Sequence, residues 1–167
     1  AAVRACEVEG GRLPTEAQWE HAARGRGRGY MYPWGDVTPE CCSASAARVS
    51  QPGVPVDCGP GKGPEPAGSH AGTRCVVSDV SIDGILDLGG SLSEMTADGG
   101  QSYTDACWAG PGLRTDVECM DSKIAAGRTG RGGDWSGGRF LLASGLRRFV
   151  PVPAIISGFR CAYADSP

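Results

Sequence analysis

The stretch Gly11-Arg12-Leu13-Pro14-Thr15-Glu16-Ala17-Gln18-Trp19-Glu20, running on to Ala22-Ala23-Arg24-Gly25, decides how the rest of the chain is read. Thr15 is a good helix N-cap, and Gln18 three residues later completes a capping box. Glu16 falls in the first turn, where a carboxylate favours the helix dipole. Trp19, Ala22 and Ala23 give an apolar stripe at helical spacing, and Gly25 ends the run. Upstream, residues 1–9 read as the end of another helix, stopped by Gly10 and Gly11.

Beyond this helix, regular structure thins out. The chain of 167 residues contains 27 Gly and 12 Pro, which implies many turns and much irregular backbone. Residues 25–75 carry most of the prolines, and Gly53–Gly68 is especially rich in Pro and Gly. Hydrophobic segments continue on both sides of it, so one domain over 1–167 with a long ordered loop is expected. A short apolar patch at Ile82–Leu92 is followed by a second loop region, Gly99–Gly127. Near the C-terminus, Arg131–Ser136 and Gly158–Tyr163 are expected as central strands, with Trp135, Phe159 and Tyr163 as packing residues.

Three further landmarks follow in order. They are Tyr32-Pro33-Trp34-Gly35-Asp36, then Asp83-Gly84-Ile85-Leu86-Asp87-Leu88-Gly89-Gly90 with Glu94 and Met95, and finally the pair Arg131-Gly132-Gly133-Asp134-Trp135-Ser136 and Gly158-Phe159-Arg160-Cys161-Ala162. Together with the opening stretch they resemble the formylglycine-generating-enzyme (sulfatase-modifying-factor) domain family, whose pattern is RLPTEAEWE, YPWG, D-x-x-G-N-x-W-E-W, RGGSW and GFR. The landmarks span residues 11–162. The resemblance implies an α+β, C-type-lectin-like fold with short strands, two or so helices and long irregular loops. It also implies that the family's N-terminal segment, which precedes the RLPTE stretch, is missing from this sequence. The bland reading of the landmarks is a scaffold. Arg12 and Glu16 are expected as ion-pair partners tying loops to the helix, and Trp19, Trp34 and Trp135 as core.

The chemistry that the resemblance implies is oxidation of a substrate cysteine by two cysteines that bind copper(I) shortly after RGGS. Those positions fall on Gly137 and Leu142, and no cysteine lies between Cys119 and Cys161. Copper is therefore not expected. A second family branch uses iron held by several histidines, and this chain has only His21 and His70. The family also binds calcium. Here Ser91 stands at the Asn of the family box, Glu94 matches, and Ser93 and Met95 replace the two Trp. Asp79, Asp83, Asp87 and Asp98 complete an acidic cluster of the oxygen type that a hard cation prefers, so Glu94, Ser91 and Asp98 are the candidate calcium ligands.

The eight cysteines, an even and unusually high number, read as disulfides formed in an oxidising compartment. An extracellular, periplasmic or cell-surface location follows. Eight cysteines allow 105 pairings; the local choices are Cys107 with Cys119, and Cys41 or Cys42 with Cys58. A formal charge of −3 argues against nucleic acid as a partner, and no apolar run suggests membrane insertion.

The expected function is a non-catalytic binding, sensor or structural module. Its surface would lie around Ser136–Leu142 and Arg147–Ile156, using Trp135, Arg139, Phe140, Arg147, Arg148 and Phe149, with Leu141 and Val150 alongside. A protein or peptide ligand, or another part of a larger assembly, would suit it. The bland alternative is that these apolar residues pack a strand pair. The catalytic alternative is a copper-dependent formylglycine-generating oxidase with relocated cysteines, such as Cys107 or Cys119.

Overall fold

The computed structural model describes residues 1–49, 58, 63–72, 75–109, 117–120, 127–151 and 157–164. Among them are helices α1 (Ala2–Val8) and α2 (Glu16–Ala23) and strands β1 (Glu94–Gly99), β2 (Gly127–Arg131) and β3 (Arg147–Pro151). The three strands form one antiparallel sheet in the order β1-β2-β3. A mixed α and β architecture with two helices and short strands agrees with the sequence reading.

The backbone divides into two compact units. The first comprises residues 1–19, 94–131 and 147–167, and the second residues 20–93 and 132–146. Helix α2 runs from one into the other.

In the first unit, the capping box forms as expected. The Thr15 hydroxyl accepts from Gln18 N–H at 3.1 Å, and the Gln18 side chain accepts from Thr15 N–H at 3.1 Å. Two orphan donors of the helix start are thereby satisfied. Helix α1 ends at Val8, two residues before Gly10. Strands β2 and β3 pair without interruption from Gly127↔Pro151 to Arg131↔Arg147. Strand β1 pairs with β2 through an irregularity between Met95 and Gly99. Side chains bind this ladder together, with Thr129 Oγ1 donating to the Gly99 carbonyl at 2.7 Å and Thr96 Oγ1 donating to the Thr129 carbonyl at 3.3 Å. The apolar core here is small: Ala2, Cys6 and Leu13, with Met95, Ala97 and Cys161 packed against them. The Cys6–Cys161 disulfide passes through it.

The expected strands near the C-terminus need correcting. Arg131 closes β2, and the chain leaves the sheet at Gly132 and Gly133, whose φ values of +90° and +70° no strand accommodates. Trp135 sits in the turn that follows. Gly158–Tyr163 makes only two isolated bridges, Glu94↔Gly158 and Arg12↔Ala162. Phe159 and Tyr163 are 41% and 56% exposed, so they are not core packing residues. Arg12 is likewise exposed; its bridge is a backbone one, and it is Glu16 that forms the buried ion pairs.

The core of the second unit gathers Tyr32, Ala44, Ala46 and Leu142, with Trp34 and Ala143 against it. The rings of Tyr32 and Trp34 stack at 5.4 Å, so the Tyr-Pro-Trp-Gly landmark is a packing element. A short 3-10 turn, Arg139–Leu142, delivers Leu142 into this core.

Candidate functional site

Gly137 and Leu142, the positions onto which the resemblance carries the family's catalytic cysteines, lie in the second unit, and their surroundings are those of a packed interior. Leu142 is 1% exposed and belongs to the apolar cluster. Gly137 is buried; its N–H bonds to Asp134 Oδ1 at 3.1 Å and its carbonyl accepts from Ala47 N–H at 2.7 Å. A β-carbon at Gly137 would meet Leu141 Cδ1, so the end of that side chain would have to move aside. Neither position offers sulfur, and both are buried. All eight cysteines are paired, as Cys6–Cys161, Cys41–Cys58, Cys42–Cys75 and Cys107–Cys119. The last pairing, and Cys58 with one of the vicinal cysteines, are as read from the sequence. Copper(I) needs soft thiolate ligands, so the residues present do not fit it.

The landmark residues of the first unit meet in two charged clusters. In one, Glu94 accepts from Arg160 Nη2 at 2.7 Å, from Arg160 Nε, and from Trp19 Nε1 at 2.8 Å. In the other, Glu16, 1% exposed, takes Arg147 Nη2 at 2.8 Å and the Tyr103 hydroxyl at 2.9 Å, with Arg131 Nε at 3.4 Å. The Arg131 guanidinium also lies 5.4 Å from the Trp19 ring centre, and that of Arg147 lies 4.2 Å from the Tyr103 ring. Burial and the Glu16 charge push the Tyr103 phenol up to about 12. Asp98 accepts from the N–H groups of Glu16 and Cys119, yet burial outweighs these donors and raises its carboxyl above the usual range.

These contacts bear on the calcium set. Glu94 serves a guanidinium and an indole, and Asp98 serves two backbone donors, while the Ser91 hydroxyl, in the other unit, donates to the Glu65 carbonyl at 3.3 Å. Asp79 accepts from Gly89 N–H, Asp83 from Arg26, and Asp87 from Gly68 N–H. The carboxylates of the acidic cluster are thus engaged by cationic or N–H donors.

The residues proposed for binding fall into both units. In the second, Phe140 is 66% exposed, Trp135 is half-buried, and Arg139 donates to the Pro39 carbonyl at 3.0 Å. In the first, Arg147, Arg148 and Phe149 stand on β3. Val150 is buried, so the strand-pair reading holds for it, while Phe149 remains 54% exposed. Arg147 is held by Glu16, Thr129 and the Gln101 carbonyl, and so acts as a structural cation. Around them is a recess of about 120 Å³ lined by Gly100, Thr129, Arg147, Arg148 and Phe149. That is well below the several hundred Å³ of small-molecule sites, and fits a single side chain. Residues 152–156 of the expected surface lie outside the described residues. Sequence reasoning missed Tyr103, whose role appears only once Glu16 and Arg147 are brought beside it.

Known proteins place this geometry in context. Two curated relatives, the inactive C-alpha-formylglycine-generating enzyme 2 of Bos taurus and of Mus musculus, are each 58% identical over 31 residues. That match covers 19% of this chain and 10% of theirs. The solved structure of PvdO from Pseudomonas aeruginosa superimposes with a TM-score of 0.60 at 19% identity, over 92% of this chain and 52% of that one. The fold is shared with it. The model of the sulfatase-modifying factor enzyme 1-like domain matches residues 2–165. The chain belongs to the sulfatase-modifying factor enzyme 1-like domain family.

Proposed function

We propose that this chain is a non-catalytic binding module on a C-type-lectin-like scaffold, working in an extracellular, periplasmic or cell-surface setting. The observation that carries the reading is the loss of the copper-binding pair: Gly137 and Leu142 are buried without sulfur, and every cysteine is consumed in a disulfide. Relocated catalysis by Cys107 or Cys119 has no thiolate to use, because these two are bonded to each other. The inactive relatives share only a short stretch, but their name points the same way. Four disulfides suit an oxidising compartment.

The partner is a protein or peptide, whether a separate ligand or another part of a larger assembly. Phe149 and Arg148, exposed beside a recess of side-chain size, supply an aromatic anchor and a cation of the kind that dominates such interfaces. Two measurements test the proposal. Titration with copper(I) against a chromophoric chelator, together with mass spectrometry of a cysteine peptide incubated with the protein, is expected to give no retained copper and no aldehyde. Selection of displayed linear peptides on the folded protein is expected to yield binders that lose affinity to a variant carrying Phe149→Ala and Arg148→Glu. Stoichiometric copper with aldehyde formation overturns the non-catalytic reading, and binders indifferent to both substitutions overturn the assigned surface.

A further inference from the structure

The second unit gathers four of the eight cysteines, bonded as Cys41–Cys58 and Cys42–Cys75. The Cys42–Cys75 bridge is the more open to solvent. Cys42 is exposed and Cys75 half-buried, whereas the Cys6–Cys161 and Cys107–Cys119 bridges each have one cysteine fully enclosed. Beside it stands Glu40, also exposed. The Glu40 carboxylate and the two sulfurs have their ligand atoms within 4.8 Å of one another, the one such group of His, Cys, Asp and Glu side chains among the described residues.

We propose that this bridge is a redox-gated metal site, in which reduction frees Cys42 and Cys75 to hold a zinc-type divalent cation together with Glu40. The reductant is a dithiol. One of its sulfurs attacks the bridge to form a mixed disulfide, and its second sulfur displaces the remaining protein sulfur. Two electrons pass to the protein, leaving two thiols, and the dithiol departs as its own disulfide. On metal binding the thiols release two protons to solvent, and three bonds to the cation form.

The geometry suits the ion. Zinc–sulfur bonds of about 2.3 Å in a tetrahedron set the sulfurs roughly 3.8 Å apart, with a carboxylate oxygen at about 2.1 Å from the metal. A modest separation of Cys42 and Cys75 reaches this without moving Glu40 out of range. Two thiolates and one carboxylate prefer zinc to the hard cations calcium and magnesium, and the fourth position is open to water.

The surrounding loop is held by bonds that do not depend on the bridge. His70 Nδ1 meets the Cys42 carbonyl at 2.9 Å and its Nε2 meets Glu65 at 2.6 Å. Glu65 in turn pairs with Arg48 at 2.9 Å. Ser43 closes a turn on Glu40, its N–H donating to the Glu40 carbonyl at 3.1 Å and its hydroxyl accepting from Glu40 N–H at 3.0 Å. These contacts hold Glu40 and Cys42 in place, and tie the segment carrying His70, five positions before Cys75 in sequence, to Cys42 after the bond opens.

The test begins with stepwise dithiothreitol treatment of the whole folded chain, alkylation and peptide mapping. Cys42 and Cys75 are expected to be labelled before the other six cysteines. After removal of the reductant under argon, zinc is expected to bind at one ion per chain, and cobalt(II) to give a thiolate charge-transfer band. Cys42→Ser with Cys75→Ser is expected to abolish binding. Glu40→Gln, a surface change outside the bridge, is expected to weaken zinc at least about ten-fold while the oxidised protein melts as the wild type does. Opening of another bridge first, equal zinc affinity in either variant, or collapse of the native circular dichroism once this bridge is reduced overturns the proposal.

Discussion

Replacing Glu16 by Gln is the most direct probe of the charged cluster that joins α2, β2 and β3. Glu16 is 1% exposed, and its carboxylate faces Arg131, which is 0% exposed, and Arg147, 22% exposed at its side chain. Glutamine keeps the shape but removes the charge, and its amide turns a donor toward guanidinium donors. Breaking a buried pair from one side costs about 3–5 kcal/mol. For a domain of this size, each kcal/mol moves Tm by roughly 2–4 °C. The expected fall is therefore about 6–20 °C, measured by thermal circular dichroism at pH 7 with disulfides intact. Glu7→Gln is the control, because its pair with Arg4 is an exposed one, with side chains 51% and 77% accessible; it should shift stability by less than about 1 kcal/mol. Combining Glu16→Gln with Arg147→Met in a double-mutant cycle should give a coupling above about 1 kcal/mol. A Glu16→Gln protein that melts within about 2 °C of wild type would refute the claim that this cluster holds the sheet to the helix.

Tyr103 should titrate late. Its folded phenol is pushed up to about 12, above the ordinary 10.0, so its contribution to stability is whole below pH 10 and is lost as pH rises through 12. Ultraviolet difference titration should show this late phenolate, and in the Glu16→Gln variant it should move down, since the neighbouring charge is gone. A cysteine placed at position 142, Leu142→Cys, should resist a water-soluble maleimide in the native protein and react only on unfolding, because that side chain is 1% exposed. Thr15→Ala removes one half of the capping box and should cost about 1 kcal/mol by urea denaturation.

The parts of the fold that were legible in the sequence are those decided locally. Thr15 and Gln18 announce α2 because cap and box are separated by three residues, and Cys107 with Cys119 is a short-range bridge. Apart from the strand-pair alternative for the stretch that holds β3, the strands were not legible. Glu94–Gly99, with the sequence EMTADG, has little apolar alternation, because its register is held by Thr96, Thr129 and Arg128 reaching across the sheet. Arg131–Ser136 looked like a strand on composition, and the left-handed backbone at Gly132 and Gly133 ends it at its first residue. At the candidate site, the absence of sulfur at Gly137 and Leu142 was plain from the sequence, but their burial was not. The engagement of Arg147 by Glu16, 131 positions away, depends on long-range folding that no local pattern encodes.

The Cys6–Cys161 bridge spans 155 positions of sequence while holding its two Cα atoms 5.4 Å apart. Tension applied to the chain from outside these two residues would cross through sulfur directly, leaving β1, β2 and β3 unloaded between them. The module would then behave under pulling as a nearly inextensible link, and a single protease nick anywhere between the two cysteines would leave both fragments covalently joined.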